Sequence, residues 1–237
     1  MNIHADPATT HALVVGIDTY GPLGALAGPV QGACDFADWL LSRGVPPENV
    51  RLHLAPSAAS AHLAPAGPVR LGGATETEIR DALHGLRGVE GSFLYIYWSG
   101  HGFELDSRVR MLAADCTPAE IRNIDLDSLL HALRTDDFAP LGPQAILVDT
   151  CRLPVELAHQ SRFGAGTIPH GSSRHPYLQL VLLSAQSNQA AASVEGRGVF
   201  TERLLAALSD APEGQWPPDL AHIAAELHPA SGPAAPG

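Results

Sequence analysis

Hydrophobic residues return along this chain in two alternating rhythms. Nearly unbroken apolar runs, rich in β-branched and aromatic residues, stand at 12–17 (ALVVGI), 50–54 (VRLHL), 93–98 (FLYIYW), 145–148 (AILV) and 178–184 (LQLVLLS). Between them, apolar positions recur every three or four residues. In 31–43, Ala33, Phe36, Ala37, Leu40 and Leu41 fall on one helical face, and Gly44 stops the pattern. In 75–86, Ile79, Ala82, Leu83 and Leu86 form a stripe behind Thr75, and Glu78 three residues later completes a capping-box pattern. Helical patterns also cover 125–133, begin at 201–208 and close at 218–227, and 111–114 reads as a further short strand. Residues 18–30, 56–74 and 153–176 are rich in Gly, Pro, Ala or Ser without periodicity and read as loops. Strands that are apolar throughout and alternate with helices predict a parallel sheet covered on both faces. Ligands of such sheets bind beyond the carboxyl ends of the strands.

Two of these runs stop abruptly on reactive side chains. FLYIYWSGHG (93–102) delivers His101, and AILVDTCR (145–152) delivers Cys151, 50 residues later. Parallel strands ending side by side would set an imidazole beside a thiol, the arrangement of a Cys–His nucleophile pair.

Composition narrows the alternatives. At 237 residues with 45% hydrophobic content, one large domain is expected. A net charge of −11 argues against a nucleic-acid partner, which needs a basic face, and suits basic substrates. The three cysteines, Cys34, Cys116 and Cys151, make neither a disulfide framework nor a zinc spacing. The histidines other than His101 are scattered and read as solvated. The first ten residues are polar without a signal-peptide core, and no apolar run reaches membrane-spanning length, so a cytoplasmic location is expected. No GxGxxG or GxxxxGK[ST] follows the first strand, which argues against a nucleotide-binding fold. The organisation expected is a flexible N-terminus at 1–10, a domain at 11–228, and a linker-like Pro/Ala/Gly tail at 229–237 through which a further domain or regulator could be attached.

At these residues the chain resembles the caspase-like cysteine peptidases, with their metacaspase and bacterial relatives. SGHG at 99–102 matches the family's histidine motif, and Asp149-Thr150-Cys151 resembles the metacaspase cysteine motif rather than the Gln-Ala-Cys of animal caspases. VVGIDTY (14–20), GACDFADWL (32–40) and the segment 184–208 ending in GVFTERLLAAL resemble the first strand, the first helix and the segment after the fifth strand. A His about 50 residues before the Cys is itself a caspase signature. The resemblance implies a three-layer α/β/α sandwich whose central, mostly parallel sheet has about six strands flanked by helices. It implies a cysteine endopeptidase acting on protein or peptide substrates, with no organic cofactor. The clustered acids that bind calcium in some metacaspases are not evident, Asp106 and Asp115 being sparse. Bacterial relatives often sit in multidomain signalling or defence proteins, and the Ala-, Pro- and Gly-rich composition suits a GC-rich bacterial source. A catalytically silent scaffold, or a peptidase latent until a partner domain activates it, is the alternative reading.

Within that frame each residue has an expected role. Cys151 is the nucleophile and His101 its base and later its acid. The backbone N–H groups of Gly102 and Cys151 would face the developing oxyanion. Asp149, two residues before Cys151, and Ser99, two before His101, lie on one side of their strand ends; with Asp18 they would line an acidic pocket for Arg or Lys ahead of the scissile bond. An animal caspase would use arginines there to hold Asp, and none lies between Asp18 and Gln31. Arg162 and Arg174, in the segment after the nucleophile, are candidate self-cleavage points. Arg152-Leu153 stands where many relatives have small residues.

Overall fold

A computed structural model describes residues 5–150, 162–163, 166–168, 171, 178–184, 193–194, 197–212 and 214–227; Cys151, Arg152 and Arg174 lie outside the described residues. In chain order the elements are β1 (Thr10–Ile17), α1 (Pro29–Ser42), β2 (Val50–Ala55), β3 (Arg70–Gly73), α2 (Glu76–His84), β4 (Phe93–Ser99), β5 (Gly102–Leu105), β6 (Arg108–Leu112), β7 (Glu120–Ile121), β8 (Asn123–Asp125), α3 (Leu126–Ala132), β9 (Gln144–Asp149), β10 (Arg162–Phe163), β11 (Gln179–Leu183), β12 (Ser193–Val194), β13 (Arg197–Gly198), α4 (Val199–Asp210) and α5 (Leu220–Leu227).

Six strands make a parallel sheet in the order β11-β9-β4-β1-β2-β3. All seven positions of β4 are buried, because both sheet faces are covered. One face carries Leu13, Val15, Ile17, Leu94, Ile96, Trp98, Ile146 and Val148, packed with α2, α3 and the β5–β6 hairpin. The other carries Ala12, Val14, Phe93, Tyr95, Tyr97, Ala145 and Leu147, packed with α1, α4 and α5. The result is a three-layer α/β/α sandwich. Aromatic packing ties α1 to β4: the Phe36 ring stacks on Tyr97 with centroids 4.8 Å apart, and Trp39 meets Tyr95 edge-on at 5.8 Å. A Cβ at Gly16 would lie 2.6 Å from the Ala33 Cβ and 2.7 Å from the Pro29 carbonyl, so only glycine lets α1 sit this close to β1.

The chain runs from β1 outward to β2 and β3, then returns to the other side of β1 for β4, β9 and β11. The loops after β1 and β4 therefore diverge, which opens a crevice at the carboxyl ends of these two strands.

Several elements depart from the sequence expectation. Residues 56–74, read as loop, contain β3, a four-residue edge strand with no apolar alternation and Leu71 largely exposed. The short strand expected at 111–114 is β6, shifted earlier and paired with β5 across a two-residue turn in which Asp106 and Ser107 have φ of 50° and 61°. Both left-handed residues identify a hairpin turn that carries no Asn-Gly or Asp-Gly signal. Helix α1 begins at Pro29, its first helical position, two residues before the periodic pattern. The capping box of α2 forms as read, with Thr75 and Glu78 exchanging side-chain and backbone hydrogen bonds. His53 is buried rather than solvated, its Nδ1–H donating to the Gly73 carbonyl at 2.6 Å. At the N-terminus, Asp6 caps the turn Pro7–Thr9 and its N–H donates to Ser92 Oγ. No helix among the described residues is long and apolar enough to cross a membrane.

Candidate active site

Three strand ends meet at the crevice. In register, Gly16 of β1 lies beside Ser99 of β4, and Ser99 lies beside Asp149 of β9. The Gly100 N–H donates to the Asp149 carbonyl at 3.2 Å, so β4 and β9 stay joined one residue past the end of β4.

His101 follows directly. Its N–H donates to the buried Tyr20 hydroxyl at 2.6 Å, and its carbonyl accepts from Leu112 N–H at 3.0 Å. The Tyr20 and His101 rings lie 4.7 Å apart and are tilted by 47°. The His101 backbone is thus held from the loop after β1 and from β6, and its ring rests on Tyr20. A Cβ on Gly100 would overlap the Tyr20 hydroxyl, so the glycine between Ser99 and His101 makes room for this bond. Burial lowers the His101 pKa below its ordinary value, which keeps the ring neutral and able to accept a proton at neutral pH.

Gly102 is packed as tightly. A Cβ there would lie 2.7 Å from both Cβ and Oγ1 of Thr150 and 3.1 Å from the Arg110 carbonyl. The residue after His101 therefore touches the residue before Cys151. Thr150 is buried, and its carbonyl accepts from Ser184 Oγ at 3.2 Å. Cys151 itself lies outside the described residues.

Side-chain alternation directs Gly16, Asp18, Ser99 and Asp149 to the sheet face covered by α1 and α4. Both acids are buried there, and each meets a helix N-terminus. Asp18 Oδ1 accepts from Val30 N–H in the first turn of α1 at 3.0 Å, and Oδ2 accepts from Ser60 Oγ at 2.5 Å. Asp149 Oδ2 accepts from Thr201 Oγ1 at 2.7 Å, and the Thr201 backbone N–H in the first turn of α4 also donates to the carboxylate. The N-cap residues of these helices are Gly28 and Gly198, which have no capping side chain. The two strand-end acids supply that cap from outside the helix, where the helix dipole favours negative charge. Burial raises the Asp149 pKa, and hydrogen bonds from Thr201 and Ser184 oppose the rise. Among the described residues neither acid is paired with an arginine. Gly198 and Thr201 also line a groove of about 590 Å³ between α1 and α4, with Asp35, Asp38 and Glu202 in its wall.

The structure thus gathers Ser99, His101, Gly102 and Asp149 at adjoining strand ends, with Asp18 on the same face but engaged by Ser60 and Val30. Tyr20, Tyr97, Thr201 and Ser60 were not identified as site residues from sequence. Each acts through a partner distant along the chain, and only the positions of Tyr20 in VVGIDTY and Thr201 in GVFTERLL carried a signal. Asp106 lies in the β5–β6 turn, and Asp115 accepts from the Glu76 N–H and from Arg122. Among the described residues no three His, Cys, Asp or Glu side chains are grouped to hold a metal.

Comparisons with known proteins agree with this architecture. The family model for the caspase domain, peptidase C14, matches residues 9–228. Caspase-1 from Spodoptera frugiperda has a similar fold, with a TM-score of 0.58 at 14% sequence identity over 95% of this chain and 78% of that one. No curated protein matches the sequence. With the caspase model spanning nearly all of the chain, the protein belongs to the caspase domain family of cysteine peptidases.

Proposed function

We propose that this protein is a cysteine endopeptidase that cuts after Arg or Lys, with Cys151 as nucleophile and His101 as its base. The observation that carries the pairing is the contact between Gly102 and Thr150, the immediate neighbours of the two residues. His101, kept neutral by burial, takes the Cys151 proton. The thiolate adds to the substrate carbonyl, and the oxyanion is met by the N–H groups of Gly102 and Cys151. The intermediate collapses to a thioester as the amine leaves with the proton from His101. Water, deprotonated by the same imidazole, releases the acid and restores the thiol. The chemistry requires no cofactor.

The preference for a basic residue is supported by Asp149, a buried carboxylate with neutral donors around it. Its described partners, Thr201 and Ser184, are neutral, and a guanidinium or ammonium arriving from the substrate would bring a positive charge to it. Ser99 stands beside Asp149 in register, and Asp18 adds a second carboxylate on the same face. A cytoplasmic role in bacterial signalling or defence, through a partner attached at the tail, is consistent with the composition.

The test is labelling with a peptidyl acyloxymethyl ketone carrying Arg at the terminal position, followed by intact mass and peptide mapping. Cys34 and Cys116 are buried and their thiols are pushed up to about 11, chiefly by that burial, so they should stay unmodified. One adduct on Cys151, lost in His101→Ala, is expected. No adduct on Cys151 would refute the proposal.

A further inference from the structure

We propose that Thr201, backed by the Tyr97 hydroxyl, is a positioning residue that sets the preference for a positive charge ahead of the scissile bond; this rests on Asp149 being the pocket's floor. The hydroxyls form a directed chain. Thr201 Oγ1 has one proton and donates it to Asp149 Oδ2 at 2.7 Å, so the 2.8 Å contact between Tyr97 and Thr201 has the Tyr97 O–H donating. The chain runs from β4 to α4 and back to β9, and all three residues are buried.

Its surroundings are shaped around it. The Tyr97 ring is pinned by stacking on Phe36 at an interplanar angle of 15°. A Cβ on Gly32 would lie 2.8 Å from Thr201 Cγ2 and 2.9 Å from the Tyr97 hydroxyl, and a Cβ on Gly198 would overlap Asp149 Oδ2. Glycines on two different elements thus leave room for three polar side chains. Holding Oδ2 fixes the plane of the carboxylate. A planar guanidinium, which binds a carboxylate at two points, depends on that plane far more than a neutral group does. The same donor opposes the burial that raises the Asp149 pKa. Thr201, buried and donating to the carboxylate, acts through Asp149.

The experiment measures peptide binding by the full chain carrying Cys151→Ala, which binds without turnover. Two peptides are compared by fluorescence anisotropy, with Arg or its neutral isostere citrulline at the position before the scissile bond. The quantity read is the Kd ratio of citrulline to arginine. Thr201→Val keeps the branched shape but removes the hydroxyl, and is expected to lower the ratio about tenfold through weaker Arg binding. Thr201→Ser keeps the hydroxyl and loses the methyl, and is expected to hold the ratio within about twofold of the parent. Tyr97→Phe is expected to fall between them. Asp149→Asn should bring the ratio to about one. If Asp149→Asn collapses the ratio while Thr201→Val leaves it unchanged, the relay is refuted and the pocket stands. Equal loss in Thr201→Val and Thr201→Ser would show packing at work and refute the relay as well. An unchanged ratio in Asp149→Asn, or no binding of either peptide, would refute the pocket and the relay together.

Discussion

Replacing Tyr20 by Phe removes one oxygen from the bond that holds His101. The Tyr20 ring is fully buried and would stay in place, but the His101 N–H, now 2.6 Å from the Tyr20 hydroxyl, would lose its acceptor. An unsatisfied donor of this kind costs about 1–3 kcal/mol. At roughly 2–4 °C per kcal/mol for a domain of this size, Tm should fall by a few degrees and by no more than about 12 °C. The catalytic effect should be larger than the loss of stability implies. The His101 backbone would keep its carbonyl bond to Leu112 but lose its tether to the loop after β1, and its ring rests against Tyr20 at 4.7 Å. A displacement of about 1 Å in a catalytic group can lower the rate about a hundredfold. Expected, then, is a kcat about 10–100-fold lower with KM within about twofold, measured on an Arg fluorogenic peptide at a temperature where circular dichroism shows the variant folded. An unchanged kcat together with a lowered Tm would show that Tyr20 does not position His101 and is a stabilising contact alone.

Gly102→Ala should lower kcat about a hundredfold or more at a stability loss of about 1–3 kcal/mol, because the new Cβ would press on Thr150 and so on the link between the two catalytic segments; a variant with full activity would contradict that contact. In the Cys151→Ala protein, NMR titration should find His101 losing its proton below its ordinary pKa of 6.5, since burial disfavours the charged ring, and a value above 6.5 would count against it. Burial also lowers His53, as it does His11 and His101. The unfolded chain therefore binds more protons than the folded one once pH drops below 6.5, and stability is lost as pH falls from there through the folded-state values. Thermal scans between about pH 7.5 and pH 5 should show that decline, with a shallower slope in His53→Gln.

The parallel sheet was legible because its central strands carry their own signal. Residues of β1, β4 and β9 are buried on both faces, so the run of apolar residues is unbroken, and the turn residues after them stand out. The α2 capping box was legible for a similar reason, since Thr75 and Glu78 are neighbours in sequence as in space. Edge strand β3 was not, because a strand half exposed and four residues long needs no hydrophobic pattern and takes its hydrogen bonds from β2. The β5–β6 hairpin escaped because Asp106 and Ser107 adopt the left-handed turn without glycine. At the site, His101, Gly102, Ser99 and Asp149 lie on short motifs at strand ends. Their supports do not: Tyr20 reaches His101 across 81 residues and Thr201 reaches Asp149 across 52. Local sequence says which side chain ends a strand, whereas the packing of distant segments on both sheet faces decides what holds it.

Hydrolysis of matched fluorogenic peptides with Arg, Lys or Asp before the scissile bond, by the wild-type chain beside Cys151→Ala and His101→Ala, tests the Cys151–His101 pair and the acidic pocket together. Cleavage is expected after Arg and Lys and not after Asp, and is expected to be lost in both variants. Cleavage that survives in Cys151→Ala would contradict the nucleophile, and cleavage after Asp would contradict an acidic pocket built on Asp149.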